Sequence, residues 1–349
     1  MSKISDPIKI NNKTAKNRIL MPALVCFNWA DENGFETVSR SEHYGKRAAG
    51  GTGTIVVEAT AISPTGKLAE KELGLWSDDH IPQFEKIAKA CHKEGSLVIV
   101  QLVHAGMQAF GDKVFSASVN DVKNKTCEEM TSEQINKVIE DYVSASIRAK
   151  KAGLDGIEIH GAHGYLLSQF TSKVTNRRND EYGRDLDGRI KLSLEIVKAV
   201  REATGNDFII GYRFGVNDPT FEEDIYFAKK LESAGVDLLD VSAGIGYDGI
   251  EVPETYNFSK ITYMGKVIHD NVNIPVASVY GIRYPEQAAE LLEDNNTDIV
   301  AVGRGLLADP EWTNKALNNE KVNGCYHCKP WCKYGKDGNT CPWVLKKTK

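Results

Sequence analysis

The chain has 349 residues, 41% of them hydrophobic, and a formal net charge of -5 at pH 7, with an isoelectric point near 6.0. That balance argues against a nucleic-acid or anionic-membrane surface, which needs clustered Lys and Arg to displace counterions, and favours small-molecule partners. No apolar run approaches the roughly 20 residues of a membrane span, and the opening MSKISDPIKINNKTAKN lacks an apolar signal core, so a cytoplasmic protein is expected.

Short apolar or β-branched runs fall at residues 18–24, 54–58, 97–102, 156–160, 208–213, 238–242, 275–278 and 299–302. Each follows a helix-like segment that ends in glycine or a turn residue, as AKKAGLDGIEIH, LESAGVDLLDVS and KRAAGGTGTIVVE show. Capping-box patterns at Thr131/Gln134 and Thr220/Glu223, and starts near Asp187 and Pro285, mark the helices. Eight near-continuous apolar strands alternating with helices fit a parallel barrel, whose strands are buried on both faces. The expected fold is a (β/α)8 TIM barrel over residues 1–320 with a Cys-rich tail at 321–349. A doubly wound open sheet is the rival, but no GxGxxG follows the first strand.

In such a barrel the strand ends share one mouth. They supply Glu58, Gln101 with His104, His160 with His163, Arg213, Ser242, Ser278, and Gly303 with Arg304. One polar residue closing a strand commonly just caps a loop, but a set rich in Gln, His and Arg, with no prominent carboxylate pair, suits an anionic planar ligand better than a divalent cation. SVYGIR and AVGRG place glycines and arginines after strands seven and eight, where barrels bind phosphate.

These motifs resemble the Old Yellow Enzyme family of FMN-dependent ene-reductases. EIHGAHGYLLSQFTSKVTNRRNDEYG carries the family's His-x-x-His, Gly-Tyr-Leu and Asn-x-Arg-x-Asp-Glu-Tyr-Gly pattern, and NRILMPAL, VVEATAISPTG, QLVHAG, DVSAG and VGRGLLADPEW follow in the family's order over residues 5–315. The resemblance implies a flavin ring over Pro22, Ala23 and Leu24, beside Ala59, with Gln101 on its pyrimidine edge and Arg213 at the N1–C2 carbonyl edge, where a fixed cation stabilises developing charge. The phosphate would sit on Gly281, Gly303 and Arg304. His160 and His163 would donate hydrogen bonds to the carbonyl of an enone or enal, and Tyr165 would deliver a proton to its α-carbon while hydride comes from NAD(P)H through the flavin. The plainer alternatives are a salt bridge for Arg213, metal ligation with His104 for the histidines, and packing for Tyr165. Two positions depart from the family pattern: Val25, followed by Cys26, replaces a Thr or Cys near the flavin N5 edge, and Arg184 replaces a glycine.

The tail CYHCKPWCKYGKDGNTCPW places Cys325, Cys328, Cys332 and Cys341 in a C-x2-C-x3-C-x8-C spacing. It resembles the iron–sulfur loop of larger relatives typified by 2,4-dienoyl-CoA reductase, which implies a 4Fe–4S cluster. Structural zinc and plain thiols or a disulfide remain open. In those relatives a flavin and nicotinamide domain follows; none follows in these 349 residues, so a cluster is expected to draw on an electron-donor protein. An alternative function is a flavin-bearing redox sensor or electron-transfer protein acting through the tail; another is a barrel for a phosphorylated or metal-bound substrate. No motif fixes the natural substrate, the choice of NADH or NADPH, or the formation of a homo-oligomer.

Overall fold

The computed structural model describes residues 3–122, 124–218, 220–329 and 332–343. Its barrel strands, numbered one to eight here, are Ile19–Met21, Thr54–Ala61, Leu97–Val103, Gly156–Gly161, Ile209–Val216, Leu238–Ala243, Val276–Val279 and Ile299–Ala301. They close in chain order, strand eight pairing parallel with strand one through Val300 and Ile19. Burial on both faces explains why period-2 alternation is absent: all eight residues of strand two are buried.

Leu20, Val56, Ile99, Ile209, Leu238 and Ile299 fill the lower barrel together with Ile8, Ile10 and Ala15. The last three come from an antiparallel hairpin, Ile8–Ile10 with Lys13–Ala15, that precedes the barrel and was not evident in the sequence. Its turn holds Asn11 at a φ of 56°, a conformation asparagine tolerates better than most residues.

The Thr131/Gln134 capping box forms at the start of the helix Ser132–Lys151. The Thr220/Glu223 box does not. The helix Glu222–Ala234 starts after Phe221, and the Asp218 carboxylate accepts the N–H groups of both Thr220 and Glu223, a charged acceptor displacing the weaker hydroxyl. The other two helices start as expected, at Leu186–Thr204 and Pro285–Glu293.

The long connections after strands two, three and six all leave the C-terminal ends of their strands. The second of them carries its own parallel pair, Lys113–Ser116 with Thr126–Glu129. The described part of the tail packs on the barrel mouth, onto the segment that follows strand one. Gly338 N–H donates to Cys26 Sγ at 3.0 Å, Asn28 N–H to the Lys336 carbonyl at 3.3 Å, Trp29 Nε1 to Asp337 at 3.3 Å, and Tyr334 bonds His43 at 3.1 Å. The remainder of the expected tail, 344–349, and residues 330–331 lie outside the described residues. No described helix is long and apolar enough to cross a membrane.

Candidate active site

A cavity of about 440 Å³ opens at the C-terminal ends of the strands, within the size range of cofactor sites. Pro22, Ala23 and Leu24, which leave strand one, form an apolar wall; Gly281, Gly303 and Arg304 form another; Arg213, His163 and Ser242 contribute the polar side. Eight of the residues singled out for cofactor or catalysis therefore meet in one space. Ala59, Gln101, His160 and Tyr165 are not part of its lining: Gln101, 3% exposed, is turned to Glu158, and its Nε2 donates to Oε1 at 2.6 Å.

The glycine corner follows from backbone geometry. Gly281 has a φ of 83°, which a β-carbon would strain. Tyr280 beside it shares that region at 87°, and its ring lies 5.8 Å from the Arg304 guanidinium. The wall continues into the tail through Cys325, His327, Cys332 and Tyr334, with His327 Nδ1 3.1 Å from Arg283.

Strand four ends in a sharp turn that presents the histidines. His163 is held at a φ of 59° and Gly164 at 72°, and the His163 N–H donates to the Ala243 carbonyl at 2.9 Å. Ala162 N–H donates to His160 Nδ1 at 3.3 Å, and this fixed donor sets the tautomers beyond it. His160 Nε2–H then donates to His163 Nδ1 at 3.3 Å, and His163 Nε2–H donates to Ser242 Oγ at 2.8 Å. Burial, then Arg213 and other neighbouring charge, keeps both rings neutral: His160 lies well below the usual range and His163 falls to about 3. Tyr165 stands with its ring edge-on to His160, centroids 4.9 Å apart. Burial, and after it the charge of Glu72, pushes its hydroxyl up to about 12.

Three site residues escaped sequence reasoning. Gln169, fully buried, donates to the Gly164 carbonyl at 2.6 Å and to the Ala105 carbonyl at 3.1 Å, while its oxygen accepts from Met107 N–H and Ser116 Oγ. It ties the histidine turn to the loop after strand three. Glu158 and Asp240 lie inside the barrel. Asp240 pairs with Arg213 at 2.7 Å, so Arg213 both makes the salt bridge weighed against it and reaches the cavity. Carboxylates inside the apolar runs GIEIH and LLDVS were the available signal.

The metal-ligating role expected of Cys325, Cys328, Cys332 and Cys341 finds no support in this geometry. Among the described residues no group of three or more His, Cys, Asp or Glu is arranged to hold a metal ion, and all four are thiols outside any disulfide. The turns Lys333–Gly335 and Gly338–Thr340, which flank Cys332 and Cys341, dock against His43 and Trp29. The four do line one small cavity of about 30 Å³ beside Arg304, Tyr334 and Trp343. Nor does His104 join His160 and His163 in a metal group. Its Nδ1 accepts from Gly106 N–H, and burial lowers it to about 4.

The model of the NADH:flavin oxidoreductase / NADH oxidase family matches residues 3–323. An NADH oxidase of Thermoanaerobacter brockii is 37% identical over 346 residues, which span 94% of this chain and 53% of the relative. An NADPH dehydrogenase of Listeria monocytogenes serotype 4b is 37% identical over 334 residues, 93% of this chain and 97% of the relative. Among solved structures, a 2-naphthoyl-CoA reductase complexed with 2-naphthoyl-CoA superposes with a TM-score of 0.83 at 26% identity, over 93% of this chain and 53% of that one. The chain thus spans about half the length of some relatives and nearly all of others.

Proposed function

The chain belongs to the NADH:flavin oxidoreductase / NADH oxidase family, the Old Yellow Enzyme type of oxidoreductase that uses FMN with NAD(P)H, and from that premise we propose that it is an ene-reductase acting on the C=C bond of α,β-unsaturated carbonyl compounds. The observation that carries the reading is the convergence, around one cavity, of an apolar wall, a cationic glycine corner and the neutral His163, with the neutral His160 hydrogen-bonded behind it. The lining fits FMN: Pro22, Ala23 and Leu24 suit the ring, Gly281, Gly303 and Arg304 the phosphate, and Arg213 the polar ring edge, while Gln101 is held by Glu158 outside the lining. FMN, when bound, supplies hydride transfer from NAD(P)H to the acceptor.

The chain's own groups divide the remaining work. Neutral imidazoles donate hydrogen bonds without giving up protons, so His160 and His163 can polarise a substrate carbonyl once it replaces Ser242 and the histidine pair's mutual bond as acceptor. Tyr165, edge-on to His160, retains its proton over the physiological range and is the group assigned here to give it to the substrate carbon. The tail covers one side of the cavity, which limits water there.

The test is direct: purified protein should carry a yellow chromophore and consume a simple enone with NAD(P)H under anaerobic conditions. Protein that binds FMN but leaves enones untouched would remove the ene-reductase reading. A second reading, electron delivery through the tail, is favoured by Cys325 and Cys332 lining both the thiol cavity and the larger one. Iron at about one cluster per chain in anaerobically purified protein supports it, and neither iron nor zinc excludes a metal there.

A further inference from the structure

Below the proposed flavin site lie two buried carboxyl groups, Glu158 and Asp240, that this function does not use. Strand pairing puts Arg213 level with His160 on one side and Asp240 on the other, while Gln101 and Glu158 pair one inward layer lower. Beneath Gln101 and Glu158, Ile99 and Ile209 make an apolar floor. Glu158 and Asp240 are both 0% exposed. Arg213 Nη1 donates to Asp240 Oδ2 at 2.7 Å, and Gln101 Nε2 to Glu158 Oε1 at 2.6 Å. Three polar atoms are left without partners: Glu158 Oε2, Asp240 Oδ1 and Arg213 Nε.

The charge count decides what these groups must be. Two fully buried carboxyl groups face one cation, Arg213, which also reaches the cavity. On the strands flanking Glu158 the groups that face it are Gln101 and Arg213, with Asp240 one strand further. His160 on its own strand is neutral. A second buried carboxylate with no second cation would pay desolvation uncompensated, so retaining a proton is favoured. Burial first, and the charge of Asp240 second, pushes Glu158 up to about 8; burial also raises Asp240, against the pull of Arg213.

We infer that Glu158 and Asp240 hold one proton between them and that, with Arg213, they act as a charge-compensating pair for the flavin site. This inference rests on the flavin reading for its function but not for the proton itself. When negative charge arrives at the cofactor edge beside Arg213, the guanidinium is drawn toward it and away from Asp240. The pair then binds a proton more tightly, and where it had been ionised it takes one up from solvent onto a carboxyl oxygen. Only an O–H bond forms, and no electrons leave the flavin. Glu158 and Asp240 are positioning residues: they set the charge on Arg213's far side and touch no substrate.

Infrared spectroscopy of the purified protein reads the proton directly. Near pH 7 the wild type should show the C=O stretch of a buried protonated carboxylic acid, insensitive to outside buffer, that is lost in Glu158→Gln. Loss in Asp240→Asn instead would place the same proton on the other oxygen and support the pair. No difference in either variant, with both melting cooperatively, means two carboxylates and overturns the inference. For the coupling, the midpoint potential of bound flavin should fall more steeply with pH in the wild type than in Glu158→Gln between pH 7 and 9; equal slopes overturn it. Protein that carries no flavin defeats the proposed function alone, since the carboxyl band is still read.

Discussion

Tyr165, at about 12, and His163, at about 3, face the same turn with opposite proton behaviour, and that contrast assigns their roles. A group held neutral by burial can only donate a hydrogen bond; a phenol that keeps its proton to high pH can still release it to a developing carbanion. Tyr165→Phe should therefore slow enone reduction by about 10²–10⁴-fold, with flavin reduction by NAD(P)H largely kept. Stopped-flow traces of the two half-reactions separate the effects, and undiminished enone turnover would contradict the assignment. Gln169 acts a shell further out. Gln169→Leu leaves Met107 N–H and Ser116 Oγ without their acceptor, a loss of about 2–4 kcal/mol at the usual cost of unsatisfied buried groups. Denaturant melts should show it, accompanied by weaker binding of phenols at the histidine turn; a variant as stable as wild type would mean that the turn is held by other contacts.

At the scale of elements, the tail is the part whose placement the sequence least revealed. Gly338 packs so closely on Trp29 that a β-carbon there would stand 2.3 Å from the indole Cζ2, closer than any real contact. Gly338→Val should lift the tail off the mouth: the barrel's melting should shift little, while limited proteolysis cuts after residue 320 and flavin dissociates faster from a cavity missing one wall. Retention of both protection and flavin would show that the tail bends around the change. The eight strands, by contrast, were legible to within a few residues, because burial on both faces writes a strand as an unbroken apolar run. The strand-end set was legible only in part: His163, Arg213, Ser242, Gly303 and Arg304 line the cavity, but Gln101 turns to Glu158, Glu58 pairs with Arg40, and Ser278 is not in the lining. The hairpin before the barrel, the Asp218 cap and the Gln169 brace were not legible, because each depends on a partner distant in sequence or on competition between nearby acceptors. The tail's spacing was legible, but its docking depends on Tyr334 and Asp337 meeting His43 and Trp29, about three hundred residues away.

Over the whole molecule, two sets of buried groups pull stability in opposite directions with pH. His104 is lowered to about 4, His163 to about 3 and His160 well below its usual 6.5; unfolding lets each bind a proton, so their contribution is lost as pH falls from 6.5 toward those values. Glu158 is raised to about 8, Asp224 to about 7 and Glu72 well above 4.5, all chiefly by burial; unfolding releases their protons, so their contribution is lost as pH rises from about 4.5 through those values. Between roughly pH 4.5 and 6.5 the slopes of these two sets oppose. Above 6.5 only the carboxyl set acts, and about 2–4 kcal/mol should be lost by pH 8, since a tenfold difference in proton affinity between folded and unfolded chain is worth about 1.4 kcal/mol. Denaturation midpoints measured from pH 3.5 to 8.5 should therefore trace a broad maximum on the acid side of neutrality, and Asp224→Asn or Glu158→Gln should flatten its alkaline limb. Stability that climbs steadily to pH 8 would mean that these carboxyls are ionised in the folded protein, with cations or water beside them that supply what burial withholds.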